Sequence, residues 1–196
     1  MLIDLGWWGH GRALHQVLRS LDAMPRDVAV VFLTHAHRDH LAAWRSVRQA
    51  TFFAAEPEFA LLTGAKQPRA WIPRWAERLK PTRLPRVGEL AVVTFSSDTT
   101  FVLGVDTLRA YLVPGHTAGS AVYLFRGTLF LGDAVTYTRA GGFARARRGY
   151  SDDPRLAAAS LERLWVRLPP GAVRYACTAH AQCSPFTPAF LAAVAR

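Results

Sequence analysis

The spacing of apolar residues predicts alternating helices and strands in the first third of the chain. Apolar positions in residues 12–22 recur at helical intervals, which predicts an amphipathic helix. The continuous apolar run VAVVFL of residues 28–33 is typical of a strand that is buried on both faces. Residues 41–50 are predicted to form a helix and residues 51–55 a short strand. The segment 56–80 is predicted to be helical in pieces, because glycine and prolines interrupt it.

The pattern changes to strands over residues 90–132 and then returns to helix, strand and helix. Four short apolar segments in this region, AVVTF, TLRAYLV, SAVYLF and TLFLG, are typical of strands joined by turns. Residues 134–152 are predicted to be a loop rich in arginine and glycine. The polar residues just before Pro154 predict the capped start of a helix, and a strand and a last helix follow. This succession predicts an α/β fold in which helices cover sheets.

Length and charge narrow the classes of function. The 196 residues are expected to form a single domain, 1–196, and 24 basic against 14 acidic residues give a net charge of +10. No run of five to eight basic residues occurs, so nucleic acid is not the expected partner, although the net charge permits attraction to anionic lipid or an anionic substrate. No apolar run approaches the ~20 residues that span a bilayer. The N-terminus lacks the pattern of a signal peptide, so we expect a cytoplasmic protein without a membrane partner.

Three histidines and an aspartate follow the predicted buried strand within six residues. They are His35, His37, Asp39 and His40 in the segment THAHRDH. Imidazole and carboxylate groups are the ligands that suit zinc and similar divalent ions. Alternate residues of an extended segment point to the same side, so two of these histidines can share one ion. The segment therefore predicts a metal site.

Further ligand-type residues follow three later predicted strands. His116 lies in PGHTAGS, Asp133 in LFLGDA and His180 in TAH. In α/β proteins, residues at strand ends often meet at one edge of the fold, where sites are built. We therefore expect these three residues to belong to the same metal site as the first cluster.

The five segments together resemble the motifs of the metallo-β-lactamase superfamily. THAHRDH matches its HxHxDH signature, and LIDLG, PGHTAGS, LFLGDA and TAH resemble its other motifs in family order. The resemblance implies a four-layer αββα sandwich with a dinuclear metal site on its edge. Since the first motif begins at residue 2, the strands that usually precede it are expected to be shortened.

The resemblance also implies a role for each ligand-type residue. Two divalent ions are expected; zinc is favoured, with Fe²⁺ and Mn²⁺ as alternatives. Three histidines would hold one ion. An aspartate and two histidines would hold the other, and one more aspartate would bridge the two ions. In that order, the residues are His35, His37 and His116, then Asp39, His40 and His180, and finally Asp133. Asp39 and Asp133 would also take part in catalysis, and Asp4 would orient the metal-binding loop.

The implied activity is hydrolysis of a small ester-like substrate, such as a thioester or lactone, by a metal-bridging hydroxide. An aspartate at position 133 resembles the glyoxalase II, lactonase and phosphodiesterase branches, whereas zinc β-lactamases usually carry cysteine there. Three alternatives stay open. They are an iron-dependent persulfide dioxygenase, a phosphodiesterase acting on nucleotides or nucleic acid, and, least favoured, a non-enzymatic metal-binding scaffold.

Four residues near the motifs are candidates for substrate binding. Tyr137 resembles, with shifted spacing, a tyrosine that contacts the substrate in the lactonase branch. Arg145 and Arg148 belong to a segment with four arginines at 139–148, and arginine binds carboxylate or phosphate through two parallel hydrogen bonds. Trp7 directly follows the first motif and would form an apolar wall of the site.

Two pairs of residues outside the motifs lead to structural expectations. Trp71 and Trp75 lie four residues apart and share a helix face, which is typical of a stripe packed in the core. Cys177 and Cys183 flank His180, and two cysteines are too few for a disulfide scaffold. We therefore expect two free thiols in a reducing compartment.

Overall fold

The computed structural model of the protein describes residues 1–7, 10–79, 83–138 and 142–195. The chain forms two compact units, Met1–Phe95 and Ser96–Arg196, each with a sheet and a core of its own. The assignment of residues 1–196 to a single domain stays a prediction. Within the described part of the chain, no helix has the length and apolar character that crossing a membrane requires.

The first unit contains a four-stranded sheet in which all strands run parallel. Its strands are β1 (Leu2–Ile3), β2 (Val30–Phe32), β3 (Thr51–Ala55) and β4 (Ala91–Phe95), in that order across the sheet. The apolar run of β2 is explained by its central position, since Val31 and Phe32 are fully buried. β1 has only two residues and lies at one edge of the sheet.

Helices α1 (His10–Ser20), α2 (Phe59–Leu62) and α3 (Trp71–Leu79) belong to the same unit. The predicted helix is confirmed as α1, in which Leu18 is buried in the core of this unit and Leu14 packs against it. Val17 and Leu21 of the same apolar pattern are exposed, so the predicted stripe is confirmed only in part. The helix predicted over 41–50 is wrong, because the segment forms turns and a short 3₁₀-helix. The N–H groups of residues 42 and 43 donate to the carbonyls of residues 6 and 5, at 3.1 and 3.3 Å, instead of starting a helical ladder.

The second unit contains a mixed six-stranded sheet and a separate hairpin. In chain order, its strands are β5 (Thr99–Leu103), β6 (Asp106–Leu112), β7 (Ala121–Phe125), β8 (Thr128–Phe130), β9 (Val135–Tyr137), β10 (Phe143–Arg145), β11 (Tyr175–Cys177) and β12 (Cys183–Pro185). The large sheet has the order β12-β11-β8-β7-β6-β5, and β9 pairs with β10. Only the β8–β11 pair of the large sheet is parallel. The loop predicted over 134–152 therefore includes a short hairpin.

Helices α4 (Pro154–Arg167) and α5 (Pro188–Ala195) complete the second unit. The predicted cap is confirmed, since the Asp153 carboxylate accepts hydrogen bonds from the backbone N–H groups of residues 155 and 156, at 3.0 and 2.9 Å. Leu161 and Leu164 of α4 are buried in the same core as Val122 and Leu129 of the sheet. Helix α4 therefore packs against the large sheet.

Candidate metal centre

The THAHRDH segment of the first unit begins two residues after β2 and is held by Asp4. One oxygen of the Asp4 carboxylate accepts a hydrogen bond from the Thr34 N–H at 2.8 Å. The other oxygen accepts from the Thr34 hydroxyl at 2.7 Å and from His40 Nδ1 at 2.8 Å. With Nδ1 as the donor, the ligand atom that the His40 ring would offer a metal is Nε2, which lies 4.0 Å from an oxygen of Asp39.

His35 and His37 lie side by side with both rings buried. His35 Nε2 is 3.1 Å from His37 Nδ1, and the two rings are nearly perpendicular at a centroid distance of 4.6 Å. Two nitrogens that share a tetrahedral zinc ion, each about 2.0–2.1 Å from it, lie roughly 3.3 Å apart. The observed nitrogen pair therefore has nearly the spacing of two ligands on one ion.

Sequence reasoning missed Glu58, which supports the same segment. Its side chain is fully buried, and its carboxylate accepts a hydrogen bond from the Ala36 N–H, between the two histidines, at 2.7 Å. Glu58 lies in a 3₁₀-helix, Glu56–Glu58, that directly follows β3. The signal was an acidic residue just after a buried strand, because parallel strands β2 and β3 end at the same sheet edge.

In the second unit, His116 lies on the connection between β6 and β7, and α4 fixes that connection. The backbone N–H groups of Asp152 and Asp153, just before α4, donate to the carbonyls of His116 and Gly115 at 3.0 and 2.8 Å. His116 is buried, and its Nδ1 lies 3.4 Å from the Ser151 hydroxyl. The other ring nitrogen, Nε2, faces Asp133.

Asp133 follows β8 and lies between two histidines. One carboxylate oxygen is 3.6 Å from His116 Nε2, and the other is 3.3 Å from His180 Nε2. The structure thus brings together the three ligand-type residues of the second unit. The two oxygens of the Asp133 carboxylate thus face different imidazoles.

His180 lies on the connection between β11 and β12, and the cysteines on either side of it form a disulfide. The prediction of two free thiols is therefore wrong. Its cause is the three-residue strand β12, which the sequence pattern did not predict. The antiparallel register places Cys177 directly opposite Cys183, which allows the two side chains to bond.

Arg145 already has several partners within the second unit. Its guanidinium donates to the carbonyls of Val194 and Ala195 at the end of α5, at 3.0 and 2.7 Å. It also donates to a Glu162 oxygen at 2.8 Å. A substrate contact by Arg145 stays a prediction, but a substrate would have to compete with these acceptors.

The remaining substrate-contact candidates are exposed or lie outside the described residues. Tyr137 of β9 is 41% exposed, and its ring contacts that of Phe143 across the hairpin at a centroid distance of 5.3 Å. Arg148 lies exposed in a short 3₁₀-helix after β10, and Trp7 is 51% exposed. Arg139, which belongs to the same predicted arginine group, falls outside the described residues. These contacts stay predictions.

Trp71 and Trp75 do share a face of α3, but that face is turned to solvent. Trp71 is 64% exposed and Trp75 is 58% exposed, so the prediction of a core stripe is wrong. Helical spacing shows which side chains lie together, whereas burial depends on what packs against them.

The chemistry of the donor set fits a divalent metal. The imidazole nitrogens and carboxylate oxygens of each unit are ligands that zinc commonly takes in proteins. The Nδ1 atom of His40 contacts the Asp4 carboxylate, and the Nδ1 atoms of His35 and His116 each lie near a hydroxyl group. In all three rings, Nε2 is therefore the ligand atom. The seven residues belong to histidine and aspartate groups of the kind that hold metal ions.

Comparison with known proteins shows the family and the fold. The family model for the metallo-beta-lactamase superfamily matches residues 1–174. The crystal structure of the BLEG-1 B3 metallo-beta-lactamase superposes with a TM-score of 0.70 at 23% identity, over 94% of this chain and 82% of that one. The predicted α/β fold class is thereby confirmed.

Two curated relatives are similar over part of their own length. A probable polyketide biosynthesis zinc-dependent hydrolase, BaeB of Bacillus velezensis, is 24% identical over 86% of this chain and 62% of its own. A hydroxyacylglutathione hydrolase of Gloeobacter violaceus is 30% identical over 68% of this chain and 44% of its own. The chain thus spans less than two thirds of either relative. The family match, the fold and the motif residues agree, and the chain belongs to the metallo-β-lactamase superfamily.

Proposed function

We propose that this protein is a metal-dependent hydrolase that cleaves a small ester-like substrate, with thioesters and lactones as the leading classes. Membership of the superfamily supports the proposal. The names of its relatives, a zinc-dependent hydrolase and a hydroxyacylglutathione hydrolase, favour hydrolysis as the reaction type. The partner would be a small molecule rather than nucleic acid or a membrane, and the cytoplasmic location stays a prediction.

Two divalent ions, zinc first, are proposed to be held by seven side chains in two groups. One group consists of three histidines, and the other combines two aspartates and two histidines. The groups are His35, His37 and His116, and then Asp39, His40, Asp133 and His180. In this scheme Asp133 also reaches the first ion and bridges the pair.

Asp133 is the residue that carries this proposal. Its two oxygens lie at 3.6 and 3.3 Å from the Nε2 atoms of His116 and His180, which the scheme assigns to different ions. One carboxylate that serves both ions suits a pair of metals about 3.5–4 Å apart.

The protein's own side chains would orient the ligands and keep them in the required protonation state. Asp4 accepts a hydrogen bond from the Nδ1–H of His40, which leaves Nε2 as the ligand atom. Glu58 fixes the backbone between His35 and His37. Divalent ions held by these ligands would lower the pKa of water and would polarise the substrate's carbonyl oxygen.

Metal analysis of the purified protein, combined with two variants, tests the metal assignment. We expect close to two zinc equivalents in the wild type. The zinc held by the group with His116 is the first equivalent, and the zinc held by the group with Asp39 is the second. His116→Ala should lose the first equivalent, and Asp39→Ala should preferentially lose the second. A wild type that takes up no divalent ion under any loading condition would refute the proposed function.

A substrate panel then tests the reaction class. The zinc-loaded protein is assayed with a thioester, a lactone and a phosphodiester of similar size, and we expect turnover of the first two. Bound iron with oxygen consumption on a persulfide would favour the dioxygenase alternative instead. Turnover of the phosphodiester alone would favour the phosphodiesterase. Metal binding without turnover of any substrate would favour the non-enzymatic metal-binding scaffold.

A further inference from the structure

We propose that the Cys177–Cys183 disulfide is a positioning element for His180, and that its reduction selectively weakens metal binding by the His180 group. This inference rests on the proposed function, because it assigns His180 to the second metal. It adds a redox-sensitive element to that site. All of the residues that carry it lie in the second unit of the chain.

The disulfide closes a short loop around His180. Cys177 ends β11 and Cys183 begins β12, so five residues, 178–182, connect the two sulfurs and His180 is the central one. The cysteines are cross-strand partners, and the bond therefore joins the two ends of the loop directly. Any opening of the strand pair would move both ends of the His180 loop.

The His180 loop lies at the edge of the sheet and is more exposed than His116, which is buried. β12 has three residues and lies at the edge of the sheet, so it pairs with β11 alone. The Ala179 N–H donates to the Gly132 carbonyl at 3.2 Å, next to Asp133. The His180 side chain is 42% exposed, whereas that of His116 is 3% exposed. We therefore expect the covalent bond to help position His180, together with the contact of its Nε2 with Asp133 at 3.3 Å.

The redox step is a simple thiol–disulfide exchange. A small dithiol attacks the disulfide at the sulfur of Cys183, the exposed member of the pair, and Cys177 leaves as a thiol after taking up a proton. The second sulfur of the dithiol then closes its own disulfide and releases Cys183. In total the protein gains two electrons and two protons as two S–H groups, and the dithiol is oxidised by the same amount.

The test compares zinc affinities of the oxidised and reduced wild type. The protein is reduced with a phosphine, desalted without oxygen and checked by thiol counting, and zinc is titrated against a chromophoric chelator. Loss of a group that orients a metal ligand typically costs 10–100-fold in metal affinity. We expect the second equivalent to bind at least about tenfold more weakly after reduction, with the first equivalent unchanged.

Two variants control for other effects of reduction. The double variant Cys177→Ser/Cys183→Ser should match the reduced wild type and should not respond to the phosphine, which separates loop opening from zinc binding by the new thiols. His180→Ala should lose the second equivalent, and reduction should then change nothing further. The affinity for the first equivalent reports in every sample that the fold is intact.

Several results would overturn the inference. Two thiols in the protein after air oxidation would show that the bond does not form. Equal weakening of both equivalents would make the disulfide a general stabiliser, and no weakening would make it irrelevant to the metal. Each of these results leaves the proposed hydrolase intact. Absence of any zinc binding in the oxidised wild type would instead remove both the inference and the proposed function.

Discussion

Gly115 lies so close to Ala157 that a side chain at position 115 would collide with helix α4. A Cβ on residue 115 would be 2.1 Å from the Ala157 backbone nitrogen. Gly115 also has a φ of +134°, a conformation that side-chain-bearing residues rarely adopt. The glycine of the PGHTAGS motif is thus what lets the His116 connection pack against the start of α4.

Gly115→Ala is expected to destabilise the protein strongly. The collision is with backbone, which cannot rotate away, and the strained φ adds to the cost, so we expect a loss of about 2–4 kcal/mol in the free energy of unfolding. Urea unfolding measures it. Gly171→Ala is the matched control, since its φ is +69° but nothing lies within 4 Å of the added Cβ. Equal losses in the two variants would show that backbone strain alone matters.

Asp4→Asn is expected to weaken binding of the second zinc equivalent, which is assigned to His40 and His180, by about 10–100-fold. The amide keeps one oxygen, which can accept from the Thr34 N–H, but its nitrogen cannot accept from His40 Nδ1. Chelator competition measures the affinity. Asp22→Asn is the matched control, because Asp22 is exposed and its φ of 53° is close to the 57° of Asp4. Unchanged zinc affinity in Asp4→Asn would exclude an orienting role for Asp4.

Glu58→Ala is expected to lower the free energy of unfolding by about 1–3 kcal/mol, because the buried Ala36 N–H loses its acceptor. Glu58→Gln should lose less, since its amide oxygen can accept the same hydrogen bond. Glu56→Ala, at an exposed position of the same 3₁₀-helix, should stay within about 0.5 kcal/mol of the wild type. Thermal or urea unfolding of the three variants ranks them. If Glu58→Ala ranked with Glu56→Ala, Glu58 would not support the histidine segment.

Long apolar runs and motifs made much of the fold predictable from the sequence. The run around β2 predicted a strand buried on both faces, and five motifs in family order predicted the superfamily, which the family model confirms. The strands β9, β10 and β12 were missed because their segments lack the apolar runs that predicted β2, β8 and β11, which are equally short. Such short strands form because of tertiary partners, as Arg145 of β10 shows by binding the end of α5.

The parts of the site that depend on long-range contacts were harder to predict. The ligand-type residues stand out because histidine is rare and clustered in this sequence. Neither the partner of Glu58 nor the pairing of the two cysteines can be read from a local pattern, since each depends on which strands become neighbours. The predicted core stripe of Trp71 and Trp75 was wrong for the same reason, because helical periodicity does not show whether anything covers a helix face.

Trp75→Gln is expected to change the free energy of unfolding by less than about 0.5 kcal/mol, because the side chain is 58% exposed. Trp44→Ala provides the contrast. Trp44 is 5% exposed, and its indole N–H donates to the Arg83 carbonyl at 2.9 Å, so we expect a loss of about 3–5 kcal/mol. Urea unfolding measures both. A large loss in Trp75→Gln would indicate that this face is covered in solution.

Arg148→Ala tests whether the basic segment after β10 selects an anionic substrate. Arg148 is exposed, whereas the guanidinium of Arg145 is bound to Glu162 and to the end of α5. A charge-assisted hydrogen bond to a substrate carboxylate contributes about 1.5 kcal/mol or more, which corresponds to roughly tenfold in affinity. We therefore expect KM for an anionic ester to rise about tenfold in Arg148→Ala, while KM for a neutral ester of equal size stays unchanged.

Arg145→Ala tests whether Arg145 has a structural role or binds substrate, as proposed for Arg148. Removing this side chain leaves the carbonyls of Val194 and Ala195 without its hydrogen bonds, so we expect the free energy of unfolding to fall by about 1–2 kcal/mol. KM for both esters close to the wild-type values would assign Arg145 a structural role alone, whereas a rise for the anionic ester only would support the predicted substrate contact. Added salt should reduce the preference of the wild type for the anionic ester, because exposed charges are screened. Equal KM changes for the two esters in Arg148→Ala would show that the arginine does not recognise the substrate's charge.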